Sequence, residues 1–353
     1  MPAVYTRRNF VRMACAAAFA LAAPAALSAC TKSDGEAQGE SSATASVNSE
    51  TFEVQSRTLF VFDTVVQLSA QCAPETMDAL VQRCTYFENK FSRTVEGSDI
   101  WNINHAAGAP VEVCEETAQV IRTSLEYSKA SNGLFDITIG TVSSLWDFVE
   151  GVKPDDEAIA EALPHIGYDV VSVYGTTVTL SDPQTMLDLG GIAKGFITDD
   201  LVGMLRDAGC ENASLSLGGN VYVMGESYDG DAWNVGVQDP NGAADDVIAS
   251  IPACDASLVT SGLYERSFEK DGILYYHILD PKTGYPVKTD LESASIKSES
   301  STDGDAYSTI LFLLGHDGAL DLVNGDDRFE ALLVDDFGAV TKSQGSEFEI
   351  LSA

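Results

Sequence analysis

The spacing of apolar residues changes period several times along the chain. "RTLFVFDTVVQLSAQC" (57–72) alternates apolar and polar positions and is rich in β-branched and aromatic residues, which predicts a strand. "PETMDALVQRCTYFENKFSR" then sets Met77, Leu80, Val81, Cys84, Phe87 and Phe91 at helical spacing, with acids following Pro74. "EETAQVIRTSLEYSKASNG" predicts a second helix, stopped by Asn132-Gly133. "VVSVYGTTVTLSDPQTMLDLGG" predicts a hairpin and then a strand running into two glycines. In "AKGFITDDLVGMLRDAG" a third helix places Phe196, Ile197, Leu201, Val202 and Leu205 on one side and stops at Gly209. Six strand-like runs follow: "ASLSLGGNVYVMG", "AWNVGVQD", "DVIASIPAC", "ASLVTSG", "RSFEKDGILYYHILD" and "SASIKSES". A fourth helix, "DAYSTILFLLGHDGALDLV", is interrupted near Gly315, and "FEALLVDD" and "AVTKSQGSEFEIL" close the chain as strands. Strands in runs with few helices predict an α+β fold. No repeat of fixed period is present.

The first fifty residues follow neither period. Arg7 and Arg8 before Phe10, then an alanine-rich apolar stretch broken by Pro24, form a twin-arginine export pattern. "LSAC" (27–30) has the form of a bacterial lipobox, with Cys30 as the lipidated residue; an ordinary cleaved leader with an incidental cysteine is the alternative. Residues 1–29 are therefore expected to be a lipoprotein signal peptide. Residues 30–50, rich in Ser, Ala, Gly and Glu, are expected to be a lipidated cysteine and flexible tether. Residues 51–353 are the expected folded domain. A lipid on Cys30 would anchor the protein outside the cytoplasm without spanning the membrane.

Formal charge is −34, and losing Arg7, Arg8 and Arg12 with the leader makes the remainder more acidic still. Such a chain repels nucleic acid. It can hold an anionic ligand only with local help from a cation or a helix N-terminus. Seven cysteines include no C-x-x-C pair, so neither a zinc site nor a redox dithiol is signalled. Export would permit a disulfide, but spacing shows none.

Four stretches carry candidate chemistry. "LDLGGIAKGFITDD" (187–200) places two glycines, then Lys194, at a helix start, an arrangement that gives a phosphate access to the backbone without being a Walker A or G-x-G-x-x-G loop. "DGDAYSTILFLLG" puts Asp305 and Thr309 four residues apart on one helix face, oxygen donors suited to Mg²⁺. The competing account has Asp305 capping the helix and Thr309 bonding back to the carbonyl of residue 305. "YYHILDPKTGYPV" sets His277 before a turn, and "NGLFDITIGTVSSLWDF" sets Asp136 beside Phe135; each alone is compatible with a purely structural role.

In order, "FDTVV", "FSRTVEGSDIWNIN", "NGLFDITIGTVSSLW", "LDLGGIAKGF", "SLSLGGNVYVMG", "LVTSG", "HILDPKTGYPV" and "GDAYSTILFLLG" strongly resemble the ApbE family of FAD:protein FMN transferases, over nearly the whole chain from Phe60 onward. The resemblance implies a single compact α+β domain of mixed sheets and flanking helices, with FAD in a cleft between two halves. It implies Mg²⁺-dependent transfer of FMN from FAD to a Thr or Ser hydroxyl of a partner, releasing AMP; the partners expected are exported proteins with FMN-binding domains. An FAD pyrophosphatase and a non-catalytic flavin- or solute-binding lipoprotein are the alternatives. Residue by residue, the metal would fall to Ala193, Asp305, Ser308 and Thr309. FAD would fall to Phe62, Leu134, Phe135, Asp136, Asp188, Lys194, His277 and Ile278. His277 would handle the hydroxyl's proton beside the metal-bound Asp305. The chain departs from the family at Phe62-Asp63-Thr64, often Met-Gly-Thr there, and at Thr94, often a Tyr that would stack on the flavin.

Overall fold

The computed structural model describes residues 52–351 except residue 244. The leader, Cys30 and the tether lie outside the described residues. Among the described residues no helix is long and apolar enough to cross a membrane.

Strands β1 (Val54–Val61) and β2 (Thr64–Gln71) precede helix α1 (Pro74–Phe91), α2 (Asp99–His105), β3 (Val111–Glu112) and α3 (Glu115–Ala130). Short helices α4 (Gly140–Ser143) and α5 (Asp156–Ala162) lead to β4 (Val171–Tyr174), β5 (Thr177–Leu180) and α6 (Ala193–Asp207). Then come β6 (Ala213–Leu217), β7 (Asn220–Met224), β8 (Trp233–Gln238), β9 (Val247–Ala253) and β10 (Ala256–Gly262). The chain ends with β11 (Ser267–Lys270), β12 (Ile273–Tyr276), β13 (Leu291–Ser298), α7 (Ser301–Asn324), β14 (Glu330–Asp335), β15 (Val340–Lys342) and β16 (Glu349–Ile350).

An eight-stranded sheet in the order β1-β2-β6-β7-β10-β13-β14-β15 forms the frame. Its alternation is the origin of its two faces: Val66, Leu68 and Ala70 of β2 and Ala213, Leu215 and Leu217 of β6 are buried at every second position. Helices α1 and α6 join these strands in the largest apolar cluster, through Met77, Leu80, Cys84, Phe87 and Phe91 and through Ile197, Leu201, Val202 and Leu205. The second cluster joins α7 to β13 and β14, with Leu311, Phe312, Ile296 and Leu333 among its members. A smaller sheet, β16-β9-β8, packs Val235, Val237, Ile251 and Phe348 onto Val223, Leu258 and Leu332.

The four long helices lie where their spacing predicts, and α7 kinks at Gly315 (φ 73°, ψ 178°). Three runs that read as single strands are hairpins. "RTLFVFDTVVQLSAQC" turns at Phe62-Asp63, both left-handed (φ 59° and 54°), and Val61 pairs Thr64. This is the two-residue turn that matches strand twist, here built without glycine. "ASLSLGGNVYVMG" turns between Leu217 and Asn220, and "RSFEKDGILYYHILD" turns at Asp271-Gly272. The strand expected to enter the double glycine is also absent; Met186 makes only an isolated parallel bridge to Ile139.

Candidate functional site

Helices α6 and α7 meet at the beginning of each. Asp199 of α6 accepts hydrogen bonds from the backbone N–H groups of Ser301 (2.8 Å) and Thr302 (2.9 Å), closing the first turn of α7 with a negative charge. In return Asp305 of α7 accepts the Gly195 N–H at 2.9 Å, one of the unpaired donors in the first turn of α6. Contact this close requires glycine: a methyl at Gly195 would collide with the Ser301 carbonyl oxygen and come within 2.8 Å of the Asp305 Cβ. Asp305 is 3% exposed, and its other oxygen meets Lys194 Nζ at 3.2 Å. The same ammonium lies 3.4 Å from the Gly190 carbonyl oxygen.

Asp305 does not cap α7. The cap is Ser300, whose hydroxyl accepts the Asp303 N–H at 3.2 Å. Thr309 does bond back to the Asp305 carbonyl, at 3.4 Å. It also faces the glycine turn: a methyl at Gly191 would lie 3.7 Å from Thr309 Oγ1 and 3.1 Å from the Phe135 ring. Ser308, expected beside the metal, has its hydroxyl on the Asp305 carbonyl (2.9 Å) and against Ser261 Oγ (3.0 Å), toward β10.

Asp188 is fixed from four sides. It accepts from Ser143 Oγ at 2.7 Å and the Gly190 N–H at 2.9 Å, pairs with Arg93 Nε at 3.2 Å, and donates its own N–H to the Ile137 carbonyl at 2.8 Å. Phe135 is buried, edge-on to Tyr127, and Leu134 packs on the same cluster. The Asp136 carboxylate is taken up by neighbouring protein donors. It accepts from the Thr138 N–H (2.8 Å), Thr138 Oγ1 (2.6 Å) and the Tyr168 N–H (2.9 Å). Burial pushes its pKa up against those three donors. Any ligand contact at this position therefore falls to the backbone. Thr94 faces Ser92, with their hydroxyls 3.1 Å apart.

His277 follows β12, and its N–H donates to the Arg266 carbonyl at 3.1 Å. The ring is half-buried, and its Nδ1 is enclosed without a hydrogen-bond partner among the described residues. Burial, then the positive charges of Arg266 and Lys194, hold its pKa down at about 3, so the imidazole is neutral at neutral pH. Ile278, next in sequence, is buried in the second cluster, which leaves its backbone as the group able to meet a ligand. Phe62 holds its turn through its N–H on Glu88 Oε2 (2.8 Å), and the Asp63 carbonyl accepts from Arg266 Nη2 at 3.4 Å. Glu265 reaches solvent although protein surrounds it; desolvation raises its pKa against the pull of Lys194 and Arg266.

Sequence reasoning missed Arg93, Arg266 and Glu265. The signal available for the arginines was scarcity: the chain has 20 Lys and Arg against 54 acids, so cations near an anion site stand out.

Among the described residues no three His, Cys, Asp or Glu side chains cluster into a metal cage. The donors that do converge are oxygens: the Asp305 carboxylate and the Gly190 carbonyl, both on Lys194, and the Thr309 hydroxyl beside Gly191. Lys194 already places a positive charge between the Gly190 carbonyl and Asp305. A hard divalent cation fits that set, and a soft metal does not.

Residues 62–333 match the model of the ApbE family. A relative from Treponema pallidum named FAD:protein FMN transferase is 34% identical over 288 residues, 75% of this chain and 79% of its own. One of the same name from Klebsiella pneumoniae is 37% identical over 242 residues, 67% of this chain and 75% of its own. The crystal structure of the ApbE protein of Thermotoga maritima superposes with a TM-score of 0.75 at 34% identity, covering 83% of this chain and 97% of that one. The flavinyl transferase ApbE of Pseudomonas stutzeri shares the fold, with a TM-score of 0.73 at 22% identity over 84% of this chain and 97% of that one. With the glycine turn, Lys194 and Asp305 assembled at one helix start inside the matched span, this chain belongs to the ApbE family.

Proposed function

We propose that the chain transfers FMN from FAD to a Ser or Thr hydroxyl of a partner protein and releases AMP. The observation that carries this is the meeting of Lys194, Asp305 and the Gly190-Gly191 turn at the start of α6. A protein of net charge −34 concentrates here what a pyrophosphate needs: an ammonium, the positive end of a helix and close backbone access. Phe62, Leu134, Phe135, Asp136, Asp188, Lys194, His277 and Ile278 are the positions that would line the FAD site, several through their backbone. Mg²⁺ would be held by Asp305, Thr309 and a carbonyl of the turn at Ala193, with Ser308 behind them; when bound it neutralises charge on the phosphates.

The acceptor oxygen bonds to the FMN-side phosphorus. The bond from that phosphorus to the oxygen shared with AMP breaks, and AMP leaves with that oxygen. The hydroxyl proton passes to His277, which is neutral and so free to accept it. Pyrophosphate beside Lys194 and Arg266 would offset the charges that depress its pKa and make the imidazole a stronger base. Hydrolysis of FAD to FMN and AMP is a second reading, favoured by the solvent access of Glu265 and His277.

The twin-arginine leader and Cys30 point to a lipid-anchored protein outside the cytoplasm, acting on exported proteins with FMN-binding domains. The test is mass spectrometry after mixing the chain with FAD, Mg²⁺ and such an acceptor. One FMN added to an acceptor Ser or Thr, with AMP released, supports the transferase. AMP with no modified acceptor supports the hydrolase, and neither product would overturn both.

A further inference from the structure

We propose that the β11–β12 hairpin is the docking arm for the acceptor protein: the acceptor segment that carries the Ser or Thr pairs as an extended strand along the free edge of β11, which leads it to His277. The inference rests on the transferase reading, because it names the surface which that reaction's protein substrate covers. The hairpin grows out of the site itself. β11 begins directly after Glu265 and Arg266, and β12 ends directly before His277. Ile273 and Leu274 at its tip therefore lie about 10–13 Å from His277, along a strand that rises about 3.3 Å per residue.

The base of the hairpin is held on both faces. Phe268 and Tyr275 stack across the ladder with ring centroids 5.3 Å apart, and Tyr275 continues onto Trp146 at 5.6 Å. From the other face Tyr276 meets Phe312 of α7 edge-on at 6.1 Å. The tip has no such cover. Ile273, 54% exposed, continues the face of Tyr275, and Leu274, 46% exposed, continues the face of Tyr276. Gly151 lies against the Phe268 ring, and the turn that carries it adds the exposed Val149 and Val152. Apolar side chains left bare on both faces of a firmly based arm mark a contact surface.

The backbone gives the contact its form. The His277 N–H donates to the Arg266 carbonyl at 3.1 Å, so residues 266 and 277, 268 and 275, and 270 and 273 face each other as bonded pairs. The N–H and C=O groups of Ser267 and Glu269 then point away from β12. Among the described residues β11 pairs with β12 alone, and these outward groups have no backbone partner. The outer edge of β12 runs into buried Tyr276, whereas Glu269 and Lys270 of β11 are exposed, which makes β11 the open edge. A segment added there gains main-chain hydrogen bonds whatever its sequence, and the apolar tip supplies selectivity. The edge ends at the imidazole that takes the acceptor's proton, a place the acceptor hydroxyl has to reach. A second copy has no such need, and two chains of net charge −34 repel.

The test measures FMN transfer to the FMN-binding-domain acceptor in two variants. Ile273→Asp with Leu274→Asp removes the apolar tip; Glu269→Pro removes one outward N–H and leaves the bonded pairs of the hairpin intact. Each should raise the KM for the acceptor by at least about 10-fold, with kcat at saturating acceptor and the affinity for FAD kept. Retained FAD affinity also reports that the variant is folded. On the unaltered enzyme, an acceptor whose target Ser or Thr is replaced by Ala should slow hydrogen exchange at the Ser267 and Glu269 amides. An unchanged acceptor KM in both variants, or no slowing at these amides, would overturn this inference and leave the transferase standing. Slowing that follows enzyme concentration without acceptor would assign the edge to a second copy and overturn it as well. No FMN on the acceptor with the unaltered enzyme would remove the transferase reading and this inference together.

Discussion

Two buried aspartates stand on either side of the glycine turn, and they do opposite things. Asp136, 7% exposed, gives its carboxylate to three fixed donors, two on Thr138 and the third the Tyr168 N–H 32 residues further on. Asp305, 3% exposed, takes one backbone N–H of α6 and one mobile ammonium, both more than 100 residues away in sequence. Burial alone therefore does not mark a chemical carboxylate. What separates the two is the exchangeability of the partner. A backbone N–H in a closed loop cannot leave, whereas Lys194 can turn from Asp305 to a phosphate and free one oxygen for a metal.

That difference predicts opposite damage. Asp305→Ala should lower FMN transfer by at least about 100-fold, because it removes a carboxylate from the reacting site and leaves Lys194 without its anion. Steady-state assays with FAD, beside a thermal melt of the same sample, check it; full turnover in the variant would return Asp305 to a structural role. Gly195→Val tests the crossing that positions Asp305. The side chain would strike the Ser301 carbonyl and Asp305 Cβ, so unfolding in urea should show a loss of about 3 kcal/mol or more. Asp136→Ala should cost about 1–3 kcal/mol by stranding two backbone N–H groups and a hydroxyl, with turnover per folded molecule nearly kept. A collapse of turnover in a well-folded Asp136→Ala would erase the contrast.

How much of this was legible in the sequence divides along the same line. Local periodicity placed α1, α3, α6 and α7, because each buries one stripe and the stripe is written in consecutive turns. The hairpins were hidden where a turn interrupts an unbroken β-like run. Phe62-Asp63 adopts left-handed geometry with no glycine to announce it, and Asp271-Gly272, which does carry the usual turn signal, is embedded between strong strand formers. Asp305 and Thr309 were legible as an i, i+4 pair, but the partner of Asp305 was not, since the contact with Gly195 exists only once two helices cross. The engaged state of Asp136 was equally invisible: Tyr168, which supplies its third donor, lies in another segment. Arg266 and Glu265 gather beside His277 through the β11–β12 hairpin, the element the strand reading had merged.

The smallest effect concerns His277, and it tests whether the cations around it act as argued. Its pKa in the fold is about 3, below the ordinary histidine value of about 6.5 in the unfolded chain. As pH falls through 6.5 the unfolded chain binds a proton that the folded protein refuses, so stability declines from there down toward pH 3. Above that window the residue contributes no pH dependence. His277→Gln should therefore flatten part of the acid slope of stability between these limits while leaving the neutral-pH value little changed. Because the ring is half-buried, the change should be modest, and urea midpoints at a series of pH values would resolve it. Arg266→Gln should act in the same direction from outside the ring, by raising the imidazole pKa and narrowing the window. If His277→Gln left the acid slope untouched, the histidine would titrate near its ordinary value. The cationic surroundings that keep it neutral and ready to accept a proton would then have to be given up.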